Sequence, residues 1–298
     1  MQGWWQDLTD LVLPAECGGC GRPRTVLCAK CRAALSGAAA RSVRPVPEPP
    51  GLPVVHAAAR YADEVRATLL AHKERGALAL AGPLGVALAG AVRSGLERAR
   101  AGGEGAWIRG GGAPVLLVPV PSGRRAVRAR GHDPVRRIAL AAAGELRRGG
   151  IPARVLGVLR QRRTVADQAE LNSQQRLDNL AGALAVAPGG AGLLAEGPVV
   201  LVDDVMTTGA SLAEAARAVR AVRAETGPVS NAAGTGVVYG GETWESREEQ
   251  NVGPTRERTG RRPGRQVMTG PGGAGADVDV VCAAVVAAPP DSFEINRN

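Results

Sequence analysis

Two groups of residues have the types and spacing to do chemistry. The first is Pro198-Val-Val-Leu-Val-Asp203-Asp204-Val-Met-Thr207-Thr208-Gly209-Ala210-Ser211-Leu212. Its apolar run reads as a buried strand. Paired carboxylates stand at the carboxyl end of that strand, where open α/β sheets bind ligands. A turn of hydroxyls and approachable amides follows at a helix N-terminus, which suits an anion. Thr207, Thr208, Gly209, Ala210 and Ser211 are the candidate phosphate cradle, with Gly209 permitting a backbone shape that a side chain would block. Asp203 and Asp204 do not favour a bare phosphate. They can accept hydrogen bonds from two neighbouring ribose hydroxyls, or hold Mg²⁺ through water. Hydroxyl acceptors followed directly by a monophosphate cradle describe a ribose 5-phosphate.

The second group is Cys17, Cys20, Cys28 and Cys31. Two Cys-x-x-Cys pairs seven residues apart supply four thiolates for a tetrahedral Zn²⁺. Four ligands close the coordination sphere, so the expected role is structural. A reducing cytosol disfavours disulfides here. The fifth cysteine, Cys282, sits in an apolar run and reads as a core residue.

The elements around these groups alternate. Val54–Arg60 reads as a short strand, and Asp63–Arg75 and Ala77–Arg100 as helices. In the second helix Leu80, Leu84, Leu88, Val92 and Leu96 repeat every four residues. Residues 101–113 read as a Gly-rich loop and Val115–Val120 as a strand. Asp133 and Pro134 signal the start of a further helix. Arg154–Leu159 and Val199–Val202 read as strands, Ser211–Ala224 as a helix and Asp277–Ala287 as the last strand. Apolar strands alternating with helices imply an α/β fold, a mostly parallel sheet covered on both faces.

Two more segments bear on the site. Pro119–Arg130 packs Arg124, Arg125, Arg128 and Arg130 into seven residues after a strand. Arg holds phosphate oxygens bidentately, so this is a diphosphate loop, a solvated basic loop or a nucleic-acid patch. Residues 160–181 are polar and long for a connection, a common property of lids. No nucleophile or general base stands out, and the catalytic residues stay unassigned.

These motifs together resemble type I phosphoribosyltransferases, and more of the chain resembles the ComF family, which couples that domain to an N-terminal zinc module. Val118-Pro-Val-Pro-Ser-Gly-Arg-Arg125 with Arg128, Arg130 and Gly131 is similar to the family's second signature. Leu159-Arg160 with Arg163, Thr164, Gln168, Leu171, Arg176 and Asn179 is similar to its third, and Lys73 with Gly76 to an earlier one. The sequence departs from the pattern at His132, Asp133 and Pro134, where the family has an aromatic, Asn and Gln, and no acceptor-binding role is carried to them.

The resemblance implies a type I phosphoribosyltransferase-like sheet flanked by helices with a small N-terminal zinc ribbon. It implies phosphoribosyl diphosphate bound with Mg²⁺ and ribose 5-phosphate transferred to a nitrogenous acceptor. Ser122, Gly123, Arg124 and Arg125 are then the diphosphate loop, and Arg163, Gln168 and Arg176 belong to a hood over the reacting ribose. It also implies a link to DNA uptake and natural transformation. The rival expectation is a non-catalytic competence factor on the same fold, binding single-stranded DNA or DNA-uptake proteins. The expected organisation is residues 1–36 as N-terminal helix and zinc module, 37–53 as linker, 54–225 as the main domain, 226–275 as a disordered insertion and 276–290 as the returning strand.

The 298 residues are 45% apolar but only 2% aromatic, so the core must be Ala, Val and Leu. The net charge is +9, which attracts polyanions. Lys30 and Lys73 are the only lysines, so 35 of the 37 basic residues are Arg. No window has the roughly 18 consecutive apolar residues of a spanning helix. Asp7 and Asp10 do not suit a signal peptide. The expectation is a cytoplasmic protein without membrane insertion. Trp4 and Trp5 are expected to dock a short N-terminal helix.

Overall fold

The structure, a computed structural model, describes residues 16–102, 112–163, 175, 179–225 and 280–293. The expected helix at Met1–Pro14, most of the Gly-rich loop, Gln168, Arg176 and the expected insertion at 226–275 lie outside the described residues. The chain divides into two units, Met1–Thr226 with Asp277–Asn298 and Gly227–Ala276. Every described residue belongs to the first.

That unit is a mixed α/β structure. Its helices are α1 (Ala29–Ser36), α2 (Asp63–Glu74), α3 (Ala81–Ala101), α4 (Arg124–Arg130), α5 (Pro134–Arg148), α6 (Gly190–Leu194) and α7 (Ala210–Glu225). Its strands are β1 (Arg41–Val43), β2 (Val55–Arg60), β3 (Val115–Pro119), β4 (Ala153–Val155), β5 (Leu159–Gln161), β6 (Leu184–Val186), β7 (Val199–Val205) and β8 (Val280–Ala288). Six strands form one sheet in the order β1-β2-β8-β7-β3-β4, parallel throughout except for β1 against β2. β5 and β6 form a separate antiparallel hairpin.

The last strand in sequence therefore sits in the middle of the sheet. β8 is Val280-Val-Cys-Ala-Ala-Val-Val-Ala-Ala288 and is buried along nearly its whole length. An apolar run without alternation belongs in such a place, since both faces are covered. Successive residues of β7 feed two cores. Val200 and Val202 face the layer of α3 and α5, with Leu84, Leu88, Val92 and Ile138. Val199 and Leu201 face the layer of α7, with Leu212, Ala216 and Val219.

α3 is the longest described helix. Leu78–Ala101 is long and apolar enough to cross a membrane by length and composition alone, but half of its apolar window is buried within the protein. Leu84, Leu88 and Val92 have no accessible surface, as their four-residue repeat requires. The helix packs closely on α5, where a Cβ on Gly85 would overlap Ala141. Truncating Leu88 to Ala in so tight a contact would cost about 2–5 kcal/mol.

The structure differs from the sequence reading in three places. Arg154–Leu159 is not one strand. It is divided between β4 on the main sheet and β5 in the hairpin, with Leu156-Gly157-Val158 as the bend. Residues 37–53 are more than a linker, since they contribute β1 and pack Pro45 and Leu52 against Gly209. The basic segment after β3 is the short helix α4, closed by Gly131 at φ +72°.

Candidate functional site

The two strands that carry the candidate residues lie side by side, Pro119 of β3 opposite Val202 of β7. From β3 the chain passes through α5 outward to β4. From β7 it passes through α7 the other way, to β8. The two helices lie on opposite faces of the sheet. Chains that leave neighbouring strands in opposite directions open a crevice beyond their carboxyl ends, the usual ligand position in such sheets. A cleft of about 1020 Å³ lies there, and its walls include Asp203, Asp204, Thr207, Ser211, Ser122 and Arg125.

The acid pair forms the floor. Alternation along β7 points its last residues to opposite sides. Asp204 is 5% exposed and joins the side covered by α2. There Lys73, in the last turn of α2, places Nζ 2.9 Å from Asp204 Oδ2. The Asp203 carboxylate accepts the Asp204 amide at 2.8 Å, and the Asp204 carboxylate accepts the Val205 amide at 2.9 Å. Burial and the neighbouring Asp204 charge hold the Asp203 carboxyl well above the usual carboxylate range, against the opposing pull of Lys73. Burial disfavours the Lys73 ammonium, but the charge and hydrogen bond of Asp204, with the nearby Asp203, outweigh it and raise the Lys73 pKa. A carboxyl pair of this kind is prepared for hydroxyl donors or a further cation.

The turn after β7 carries the expected cradle residues. Gly209 has φ +75°, and a Cβ there would crowd Leu52 and Pro45, so a side chain would be strained twice over. The Ala210 amide lies 3.5 Å from Thr208 Oγ1. Thr207 and Ser211 reach the cleft wall, while Thr208 and Gly209 complete the turn and Ala210 opens α7.

The opposite wall is the segment after β3. Ser122 donates to Asp133 Oδ1 at 3.2 Å, and the same oxygen caps α5 by accepting the Arg136 amide at 3.2 Å. The expected cap at Asp133 and Pro134 is therefore present, and it also fixes Ser122. Gly123 and Arg125 line the cleft. Arg163 lines it too, donating to the carbonyls of Asn179 at 2.9 Å and Ala181 at 3.1 Å. Arg162 is a further basic residue on the wall. Arg130 closes one side by pairing with Glu74 at 2.9 Å. His132, one residue beyond Gly131, does not reach the cleft wall. It packs its ring against His72 at a centroid distance of 5.9 Å.

Sequence reasoning gave no binding role to Lys73 or Glu74. Their position at the C-terminus of a helix, just before Gly76, was visible. Their partners Asp204 and Arg130 stand 131 and 56 positions away, beyond the reach of local pattern.

The four cysteines meet near the N-terminus. Their sulfurs all lie within 4.8 Å of one another, with Cys20 and Cys28 at 3.6 Å. Tetrahedral zinc–thiolate ligation places sulfurs about 3.8 Å apart, so the set fits a zinc ion after small adjustments. The charge pattern agrees. Burial raises the Cys17 thiol, but amides of Cys28, Cys20 and Gly19 outweigh it and bring the pKa down to about 6. Amide donation from Cys31 lowers Cys28. Burial and the other sulfurs push Cys31 far up. Four thiols this close can all ionise only around a cation, and their arrangement could hold a structural metal such as zinc. The module docks through Leu27, Leu35 and Cys31 onto the core of α2 and α3, with Lys30 paired to Glu64 at 2.6 Å.

No known family model matches the chain, and no curated protein matches it significantly.

Proposed function

We propose that the chain is a phosphoribosyltransferase-like protein that binds phosphoribosyl diphosphate and transfers ribose 5-phosphate to a nitrogenous acceptor. One observation carries this reading. The acid pair at the end of β7 shares a single cleft with the hydroxyls of Thr207 and Ser211 and with the Ser122–Arg125 segment. The carboxylates suit the two ribose hydroxyls, the Thr207–Ser211 turn suits the 5-phosphate, and Arg125 with Ser122 suits the diphosphate.

In this reading the bond between ribose C1 and the diphosphate oxygen breaks as the acceptor nitrogen bonds to C1. The diphosphate leaves with the electron pair. Mg²⁺ carried by the diphosphate supplies charge neutralisation for that departure. The protein's contribution is positioning and fixed charge. Asp203 and Asp204 orient the ribose, and the negative charge that the pair carries stabilises positive charge developing at C1. Arg125, Arg162 and Arg163 hold negative charge accumulating on the leaving group. Incubating the protein with phosphoribosyl diphosphate, Mg²⁺ and a panel of nitrogenous bases, scored by base-dependent diphosphate release, tests the reading.

The competence-factor reading, a non-catalytic module for single-stranded DNA or DNA-uptake proteins, is favoured by a different observation. Arg22, Arg24 and Arg32 are exposed on the cysteine module, and none of the three lines the cleft. Salt-sensitive binding of single-stranded DNA that is lost on neutralising these three, with no diphosphate released under any base, would make this the function.

A further inference from the structure

We propose that Lys73 occupies the cation seat of the acid pair, so that the cleft takes up a divalent metal only together with a ligand that draws Lys73 away. The argument begins with geometry. The Lys73 Nζ stands 2.9 Å from Asp204 Oδ2 on a carboxylate only 6% exposed. An ammonium is a compact point charge, and at that distance it is in direct contact with the carboxylate oxygen. A metal seeking Asp204 meets that charge first.

The choice of residue supports the same reading. Arg supplies 35 of the chain's 37 basic side chains, and Lys73 is one of two exceptions. A guanidinium is a planar fork that tends to hold both oxygens of a carboxylate. A lysine covers a single oxygen through a flexible stem and can leave it. The Lys73 side chain is 36% exposed and faces the cleft, so it has room to turn toward the cleft interior. The surrounding wall is basic, with Arg125, Arg130, Arg162 and Arg163. Of the carboxylates on that wall, Glu74 is already paired with Arg130 and Asp204 with Lys73, so without a bound anion a free divalent ion meets more positive charge than negative. A ligand bearing a diphosphate both brings the metal's counter-charge and offers the ammonium a new partner. This consequence for the ligand rests on the phosphoribosyl reading; the cation seat itself does not.

The test uses Mn²⁺ alone, with the zinc-saturated full chain, followed by electron paramagnetic resonance of free Mn²⁺. Wild type is expected to leave Mn²⁺ free at sub-millimolar concentration. Lys73→Gln should gain a site at least tenfold tighter, and Lys73→Gln with Asp204→Asn should lose it again. Lys73→Arg should behave as wild type because a cation still covers Asp204. Arg162→Gln removes the same charge from the same cleft and should gain nothing. Equal gains in Arg162→Gln and Lys73→Gln would overturn the proposal in favour of general charge repulsion. So would Mn²⁺ binding by wild type that Asp204→Asn abolishes, a result that needs no Lys73 variant to fold. None of these outcomes depends on whether phosphoribosyl diphosphate is the ligand.

Discussion

Glu214 accepts the backbone amide of Leu184 at 2.9 Å, joining the middle of α7 to the first residue of β6. Arg217, one turn further along α7, donates to the Leu184 carbonyl at 3.0 Å and to both Glu214 oxygens. The two side chains satisfy both backbone groups of Leu184 as a neighbouring strand would. This ties the β5–β6 hairpin, which carries Arg162 and Arg163, to the helix whose N-terminus holds Thr207–Ser211. The hairpin and the Thr207–Ser211 turn are thereby referred to one helix.

Glu214→Ala should destabilise the fold by about 1–3 kcal/mol, because it leaves a buried amide without an acceptor. Arg217→Ala should cost less, since half of that side chain is exposed. Urea denaturation of the two variants measures the difference. Equal and negligible losses would mean that the hairpin holds its place without α7.

His56 should make stability fall on mild acidification. It is 2% exposed, its Nδ1 lies 3.2 Å from Ser94 Oγ, and burial with the nearby Arg98 charge lowers its pKa to about 4. An unfolded histidine titrates near about 6.5. Between these values the unfolded chain binds the proton and the folded chain does not. The histidine therefore opposes folding progressively as pH drops from about 6.5 toward about 4, at up to about 1.4 kcal/mol per pH unit. Burial lowers His72 as well and acts in the same direction. His56→Asn should flatten the dependence by the His56 share in denaturation series run between those pH values. An unchanged slope would assign the whole effect to other groups.

The cysteine module should carry one zinc per chain and should couple metal to the stability of α2. Its Leu27 and Leu35 share a buried cluster with Leu69 of α2 and Leu84 of α3, so metal loss should loosen that contact. Cys17→Ser or Cys31→Ser should lower both zinc content and the thermal midpoint. Metal analysis of the purified protein that finds no zinc, with all four thiols freely reactive, would contradict this.

Much of the fold was legible because its signals are local. The Leu80–Leu96 repeat, the Asp133–Pro134 cap and the apolar runs of β3, β7 and β8 each follow from residue type and spacing. The acid pair and its turn were legible for the same reason, since strand, carboxylates and cradle are contiguous. What was missed depends on distant partners. Leu184-Ala-Val186 is too short to declare itself and becomes a strand by pairing with β5 and by the hold of Glu214. Arg154–Leu159 is continuous in pattern but bends because its two halves join different sheets. The central position of β8 is a matter of topology, which no strand's own composition reveals. Lys73 gained its meaning only from Asp204.

The most direct measurement is calorimetric titration of phosphoribosyl diphosphate with Mg²⁺ into wild type, Asp203→Asn and Asp204→Asn. Asp204→Asn removes a charged acceptor from the ribose hydroxyls and should weaken binding by about 1.5–3 kcal/mol, roughly tenfold to more than a hundredfold. Asp203→Asn, at a carboxyl held well above the usual range, should weaken it by about 0.5–1.5 kcal/mol. Single-stranded DNA should bind these variants as well as wild type or better, since less negative charge remains on a basic chain. No detectable binding of phosphoribosyl diphosphate by the folded wild type, with both variants indistinguishable from it, would contradict the account.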